Sequence, residues 1–145
     1  MQKHHCNKHP EIRDYGCEPF IFNIDHATKM NRNFRTTLWT GKHLQLTLMS
    51  IPVRGDIGEE MHPNVDQFIR IECGRAKVYM GSCRSDLHEV GCVDANYALL
   101  IPAGTWHNII NIGNSPLKLY SLYAPPQHSP GTVHRTKEEA EHEDH

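Results

Sequence analysis

Ile101-Pro102-Ala103-Gly104-Thr105-Trp106-His107-Asn108-Ile109-Ile110-Asn111 is the stretch that decides the architecture. Pro102 and Gly104 make a tight turn, because proline presets φ and glycine accepts the left-handed region. The residues that follow run at a period of two, so His107, Ile109 and Asn111 lie on one face of a strand. Ile109 is driven away from water, and it carries His107 with it toward the interior of a sheet or barrel.

Upstream, Gly55-Asp-Ile-Gly-Glu-Glu-Met-His-Pro-Asn-Val-Asp-Gln-Phe-Ile-Arg-Ile-Glu-Cys-Gly74 sets Glu60 and His62 two apart, on the same face of an extended segment. Pro63 and Asn64 break that segment. Gln67, Ile69 and Ile71 then share one strand face, Phe68, Arg70 and Glu72 the other, and the apolar partners of Gln67 turn it inward. Elsewhere Leu44, Leu46 and Leu48 alternate with Gln45, Thr47 and Met49, the pattern of a strand with one buried face. The runs 75–80, 97–101, 106–112 and 117–123 are short, rich in β-branched or aromatic residues, and separated by Gly, Pro, Asn and Asp. Many short strands without helical periodicity in the middle of the chain point to an all-β sandwich or barrel.

The ends read differently. Residues 1–20 are polar, with His4, His5, Cys6 and His9 together, and read as a frayed arm whose histidines are solvated. At the other end Thr136 and Glu139 fit a capping box, so 137–143 is either a short helix or part of a disordered acidic tail that includes His142 and His145. His128 and His134, near a proline-rich exit, read as surface residues. The expected organisation is an N-terminal arm over 1–33, a barrel over 34–126 and a C-terminal extension over 127–145.

With 145 residues the chain is one ordinary domain. Lys+Arg 15 against Asp+Glu 17 exclude a broad basic grip on nucleic acid. No apolar run approaches the roughly 20 residues of a membrane span. Five cysteines without a CxxC pair favour reduced thiols over a disulfide framework or a zinc knuckle, and the expected location is the cytoplasm.

Two imidazoles, a carboxylate and a carboxamide, from His62, His107, Glu60 and Gln67, converging inside a barrel make a ligand set for one divalent ion: Mn, Fe, Co, Ni or Zn. An isolated buried carboxylate loses several kcal/mol of hydration, which a cation would offset. Two alternatives stay open at this point. Glu60 can be a general base instead of a ligand, and Gln67 can be a hydrogen-bonding amide while three ligands and water hold the metal.

These spacings resemble the cupin superfamily. Its second motif, Gly-x5-Pro-x-Gly-x2-His-x3-Asn, is matched at Pro102, Gly104, His107 and Asn111, with Asn96 in place of the leading glycine. Its first, Gly-x5-His-x-His-x(3 or 4)-Glu-x6-Gly, is matched in spacing more than identity: Glu60 stands at the first His, His62 at the second, Gln67 at the Glu and Gly74 at the closing Gly. The carboxylate has moved, yet the ligand charge is unchanged. Trp39-Thr-Gly, Asp66-Gln-Phe-Ile-Arg and Ala124-Pro-Pro add a likeness to small single-domain bacterial cupins of the mannose-6-phosphate-isomerase-like kind. The resemblance implies a double-stranded β-helix (jelly-roll) barrel, a metal-dependent enzyme with isomerase-like or dioxygenase or decarboxylase chemistry on a sugar, keto acid or enediol, and a homodimer. A non-catalytic barrel that captures a sugar or small acid is the alternative.

Overall fold

The computed structural model describes residues 13–143. Strands β1 (Arg35–Thr40), β2 (Gln45–Ile51), β3 (Asp66–Cys73), β4 (Ala76–Gly81), β5 (His88–Val93), β6 (Ala98–Ile101), β7 (Trp106–Asn111), β8 (Leu117–Ala124) and β9 (Val133–His134) form two antiparallel sheets. The larger runs β6-β3-β8-β2-β1-β9 and the smaller β5-β4-β7. The chain before β3 extends the smaller sheet, through isolated bridges of Asp56 with Ile110 and Glu60 with His107. This is the jelly-roll expected from the sequence. The sequence reading contained no strand over 88–93; its side chains are largely exposed, so no clean alternation marks it.

The sheets enclose one apolar core. Met49 and Ile51 from β2, Ile69 and Ile71 from β3, Ala76 and Val78 from β4, Ile109 from β7, and Leu117 and Leu119 from β8 are all at most 3% exposed. Burying each of the larger of these side chains contributes roughly 1.5–3 kcal/mol. Left-handed backbone at three turns sets the strand spacing: Gly74 (φ 106), Gly104 (φ 85) and Asn96 (φ 77). Asn96, standing where the family pattern has glycine, adopts the conformation that asparagine tolerates. At Gly74 an added Cβ would also lie 3.1 Å from the Leu117 backbone, so the β3–β4 turn has room only for glycine.

The strand read as one-sided from Leu44, Leu46 and Leu48 is buried on both faces. Leu46 and Leu48 do not look into the barrel. They pack outward with Leu38, Tyr120 and Ala27, beneath Tyr15, Phe20, Phe22 and Ile24. A period of two tells which side chains share a face and not which face is inside; here the N-terminal segment covers the outer one. Helix α1 (Ile24–Met30) lies in that cover, started by Asn23, whose side chain accepts from the His26 backbone at 2.9 Å.

The frayed arm of the sequence reading falls largely on residues 1–12, including His4, His5, Cys6 and His9, outside those described. From Asp14 on the chain is fastened. The Asp14 carboxylate accepts from Thr40 Oγ1 at 2.6 Å, from the Thr40 backbone at 3.0 Å and from Gly131 N at 3.0 Å, all distant in sequence. At the other end, Lys137–Glu143 is helical (α2) rather than disordered. Half of its capping box is formed: Glu139 N donates to Thr136 Oγ1 at 3.2 Å, while the Glu139 carboxylate accepts from Arg135 N, one residue before the cap, at 2.8 Å. Ala140 then anchors α2 in the core at 4% exposure.

Candidate metal centre

Backbone pairing brings the two sequence stretches together. Glu60 and His107 exchange N–H to carbonyl hydrogen bonds of 3.0 and 2.9 Å, and Gly104 N donates to His62 O at 2.8 Å. The Pro102–Gly104 turn is therefore tied to the very residues whose side chains must meet His107. Glu60 and His62 lie not in a sheet strand but in extended chain alongside β7, since Pro63 and Asn64 interrupt the ladder before β3.

Their side chains converge. Glu60 Oε1 lies 3.3 Å from His62 Nε2 and 3.4 Å from His107 Nε2, with the imidazole centroids 5.6 Å apart. One ligand atom from each residue lies within 4.8 Å of the others. His107 is fully buried and His62 is 8% exposed, while the Glu60 side chain keeps 25% exposure, which leaves the cluster open on one side. His107 Nδ1 lies 3.0 Å from Thr105 O. A carbonyl only accepts, so Nδ1 carries a proton and the ring is held with Nε2 toward the cluster.

Neither contact to Glu60 has the alignment of a hydrogen bond, and both buried Nε2 atoms are left without a partner. Gln67, 4% exposed on β3, is held by a 3.2 Å bond from Nε2 to Ser121 Oγ, and its Oε1 is likewise buried and unpartnered. Buried polar atoms rarely remain unsatisfied. A divalent ion among them would give both imidazole nitrogens a partner and the carboxylate a counter-charge. The residues present thus fit a divalent ion of borderline softness, with Glu60, His62 and His107 grouped around it and the Gln67 oxygen as a further donor from the same interior. Burial pushes the Glu60 carboxyl up, but the His107 and His62 rings beside it outweigh this and hold its pKa well below the usual carboxylate range.

Around the cluster lies a wall that the sequence did not disclose. The Tyr123 ring meets His62 edge-on at 5.7 Å and His128 at 5.2 Å. Burial pushes its hydroxyl up to about 12, so it stays a protonated donor. His128 and His134 are not surface residues. Gln45, fully buried, accepts from His128 N at 2.9 Å and donates to His128 O at 2.8 Å, which folds the chain after β8 over the barrel end and presses His128 against Tyr123. His134, 2% exposed, sits between Arg35 Nη1 at 3.2 Å and Glu143 Oε1 at 2.9 Å. No local pattern marks these residues, because the partners that bury them are about 80 to 100 positions away.

Other residues of the motifs stand apart from the cluster. Asn111 donates to Ile51 O, Pro52 O and Ser115 O at 3.0 to 3.2 Å and clamps loops at the far end. Arg70, placed outward by parity, donates to Asn96 Oδ1 at 2.8 Å. Cys17, Cys73, Cys83 and Cys92 are free thiols outside the cluster.

Comparison with known proteins agrees with this geometry. The family described as Cupin domain matches residues 47–123. The uncharacterized protein YrkC of Bacillus subtilis (strain 168) is 59% identical over 129 residues, which is 89% of this chain and 69% of that protein. The crystal structure of BH2720 from Bacillus halodurans is 59% identical and superposes with a TM-score of 0.89, covering 90% of this chain and 99% of the other. A Lactobacillus farciminis oxalate decarboxylase in a formate complex shares the fold alone: 24% identity and a TM-score of 0.55, over 61% of this chain and 26% of that one.

Proposed function

The chain belongs to the cupin family, and on that footing we propose that it is a divalent-metal-dependent enzyme acting on a small oxygen-rich molecule at the polar end of the barrel. The observation that carries this reading is the pair of buried imidazole nitrogens, His62 Nε2 and His107 Nε2, that face Glu60 Oε1 at 3.3 and 3.4 Å with no hydrogen-bond partner. Glu60, His62, Gln67 and His107 would hold the ion. Mn, Fe, Co, Ni and Zn all suit this donor set. A divalent ion bound there supplies Lewis-acid polarisation of a substrate oxygen and acidifies the adjacent C–H or O–H.

The residues divide the remaining work. His107, oriented by Thr105 O, holds Nε2 toward the cluster. Glu60, with one carboxylate oxygen 3.3 and 3.4 Å from the two ring nitrogens, is placed as a ligand alongside them. Tyr123 offers a buried phenol beside His62. Isomerase-like proton transfer and dioxygenase or decarboxylase chemistry share this first requirement, a polarised oxygen next to the reacting carbon.

Elemental analysis of the untagged protein tests the reading. About one ion per chain is expected in the wild type, with loss in both Glu60→Ala and His107→Ala; stoichiometric metal retained in both variants rejects the site. The alternative reading is a barrel that binds a sugar or small acid without turning it over. A ligand that binds the metal-loaded protein and is always recovered unchanged would select it.

Two further readings complete the proposal. The free thiols fit a reducing compartment, and we place the chain in the cytoplasm. A homodimer is supported by β6, which ends the larger sheet and exposes Leu100 at 74% beside Tyr97 at 53%. Light scattering is expected to give twice the chain mass, and a monomer at micromolar concentration removes this part.

A further inference from the structure

The metal reading leaves part of the barrel interior unexplained. Thr47 pairs with Thr37 on β1 and with Ser121 on β8, and Ser121 Oγ accepts from Gln67, so these residues share the barrel-facing side. Arg35, two before Thr37 on β1, lies on that side too. Its guanidinium is nearly sealed, at 3% exposure for the residue. Among the described residues it forms no ion pair with a carboxylate. Nη1 lies 3.2 Å from His134 Nδ1, and the group stands over the Phe34 ring at 5.4 Å. The nearest carboxylate on this path, Glu143, is reached only through His134.

A buried, permanently charged guanidinium without a direct counter-charge is expensive. The same interior holds more unsatisfied atoms than a metal would use. A metal would take up His62 Nε2, His107 Nε2 and Gln67 Oε1, but among the described residues Arg35 Nε and His128 Nε2 are also buried without partners, and Thr47 Oγ1 has only the Tyr123 hydroxyl beside it. Each of these three can donate a hydrogen bond, and one carries a positive charge. Tyr123 touches His62 on one side at 5.7 Å and His128 on the other at 5.2 Å, so these groups border the metal cluster.

We propose that Arg35, Thr47 and His128 form an anion subsite beside the metal centre, and that the molecule this barrel takes is a small hydroxy or keto acid whose carboxylate meets Arg35 while its second oxygen faces Glu60, His62 and His107. The inference rests on the proposed function and narrows it. An uncharged sugar would leave the guanidinium without its counter-charge; a carboxylate supplies both the charge and acceptors for all three donors.

Calorimetric titration of the manganese-loaded full chain with lactate and pyruvate, against the uncharged analogues 1,2-propanediol and hydroxyacetone, tests it. At least one acid is expected to bind about tenfold or more tightly than its uncharged counterpart, and Arg35→Gln to lose about tenfold or more of that affinity with metal content unchanged. Thr47→Val, nearly isosteric, is expected to weaken the same acid several-fold and decides the matter if Arg35→Gln does not fold. Equal binding of acid and neutral analogue, full acid affinity in the variants, no acid binding, or binding of inorganic phosphate with neither acid would each overturn the subsite. Failure of the metal reading looks different: a protein that takes up none of Mn, Fe, Co, Ni or Zn, yet binds the acid in an Arg35-dependent way, keeps the subsite and rejects the metal.

Discussion

Two ends of one barrel interior, built by the same strands, are filled in opposite ways. Along β8 the inward side chains run Leu117, Leu119, Ser121, Tyr123, and along β2 they run Ile51, Met49, Thr47, Gln45. Register pairs them like with like: Ile51 with Leu117, Met49 with Leu119, Thr47 with Ser121, Gln45 with Tyr123. β3 passes from Ile71 and Ile69 to Gln67, and β7 from Ile109 to His107. The apolar end packs closely, and Asn111, placed there, has its amide bonded to three carbonyls. The polar end collects the unpartnered atoms of Arg35, His62, Gln67, His107 and His128. Each unsatisfied buried group costs roughly 1–3 kcal/mol, and close packing at the other end offsets it. Stability and chemistry are thus separated by about two residues along each strand.

The sharpest break of this division is on β7, where Ile109 and His107 are two residues apart on one face. Ile109→Ala is expected to cost about 2–5 kcal/mol in denaturant unfolding while metal content stays at wild-type level. Metal loss in that variant would mean that the two ends are not independent. Next comes Asn111→Ala, which strips the buried Ile51 carbonyl and the partly exposed carbonyls of Pro52 and Ser115 of their donor and is expected to cost about 2 kcal/mol, again without loss of metal.

A smaller effect is expected from acid. Burial, with the Arg35 charge, pushes His128 down from 6.5 to about 3. Between those values the unfolded chain binds a proton that the folded one refuses. The stability tied to this ring is therefore complete above about pH 6.5 and falls as pH drops toward 3, by at most about 1.4 kcal/mol per pH unit. His128→Gln removes that slope, read as a flatter stability-against-pH curve from urea titrations of the two proteins. An unchanged curve would place His128 in solvent. The smallest effect is at a turn outside both ends: Asn96→Gly restores the family residue, relieves a φ of 77° and gives up the bond from Arg70, for a net change within about 0.5 kcal/mol.

Much of this was legible in the amino-acid order. The stretch 101–111 announced a turn and a strand with His107 inside, and the spacing of Glu60, His62 and Gln67 placed them at family positions. Less legible was the role of Leu46 and Leu48, because alternation carries no label for which sheet face will be covered, and the covering aromatics Phe20 and Phe22 lie in a stretch without strand or strong helical periodicity. Arg35, Thr47 and His128 gave no signal at all. A threonine and an arginine at the start of strands are ordinary, and a histidine after Pro125 and Pro126 reads as surface until Gln45 is known to pin its backbone.

The sequence by itself determined the strand periodicity, the turn chemistry at Gly74, Asn96 and Gly104, and the local spacing of the possible ligands, because these depend on interactions within a few residues. Only the tertiary structure decided which face became the interior, that Glu60 and His62 stand against His107, and that Arg35 is sealed in with no carboxylate at hand among the described residues. Those outcomes depend on pairings between residues tens of positions apart, and burial and electrostatics take their values only after such pairings have closed.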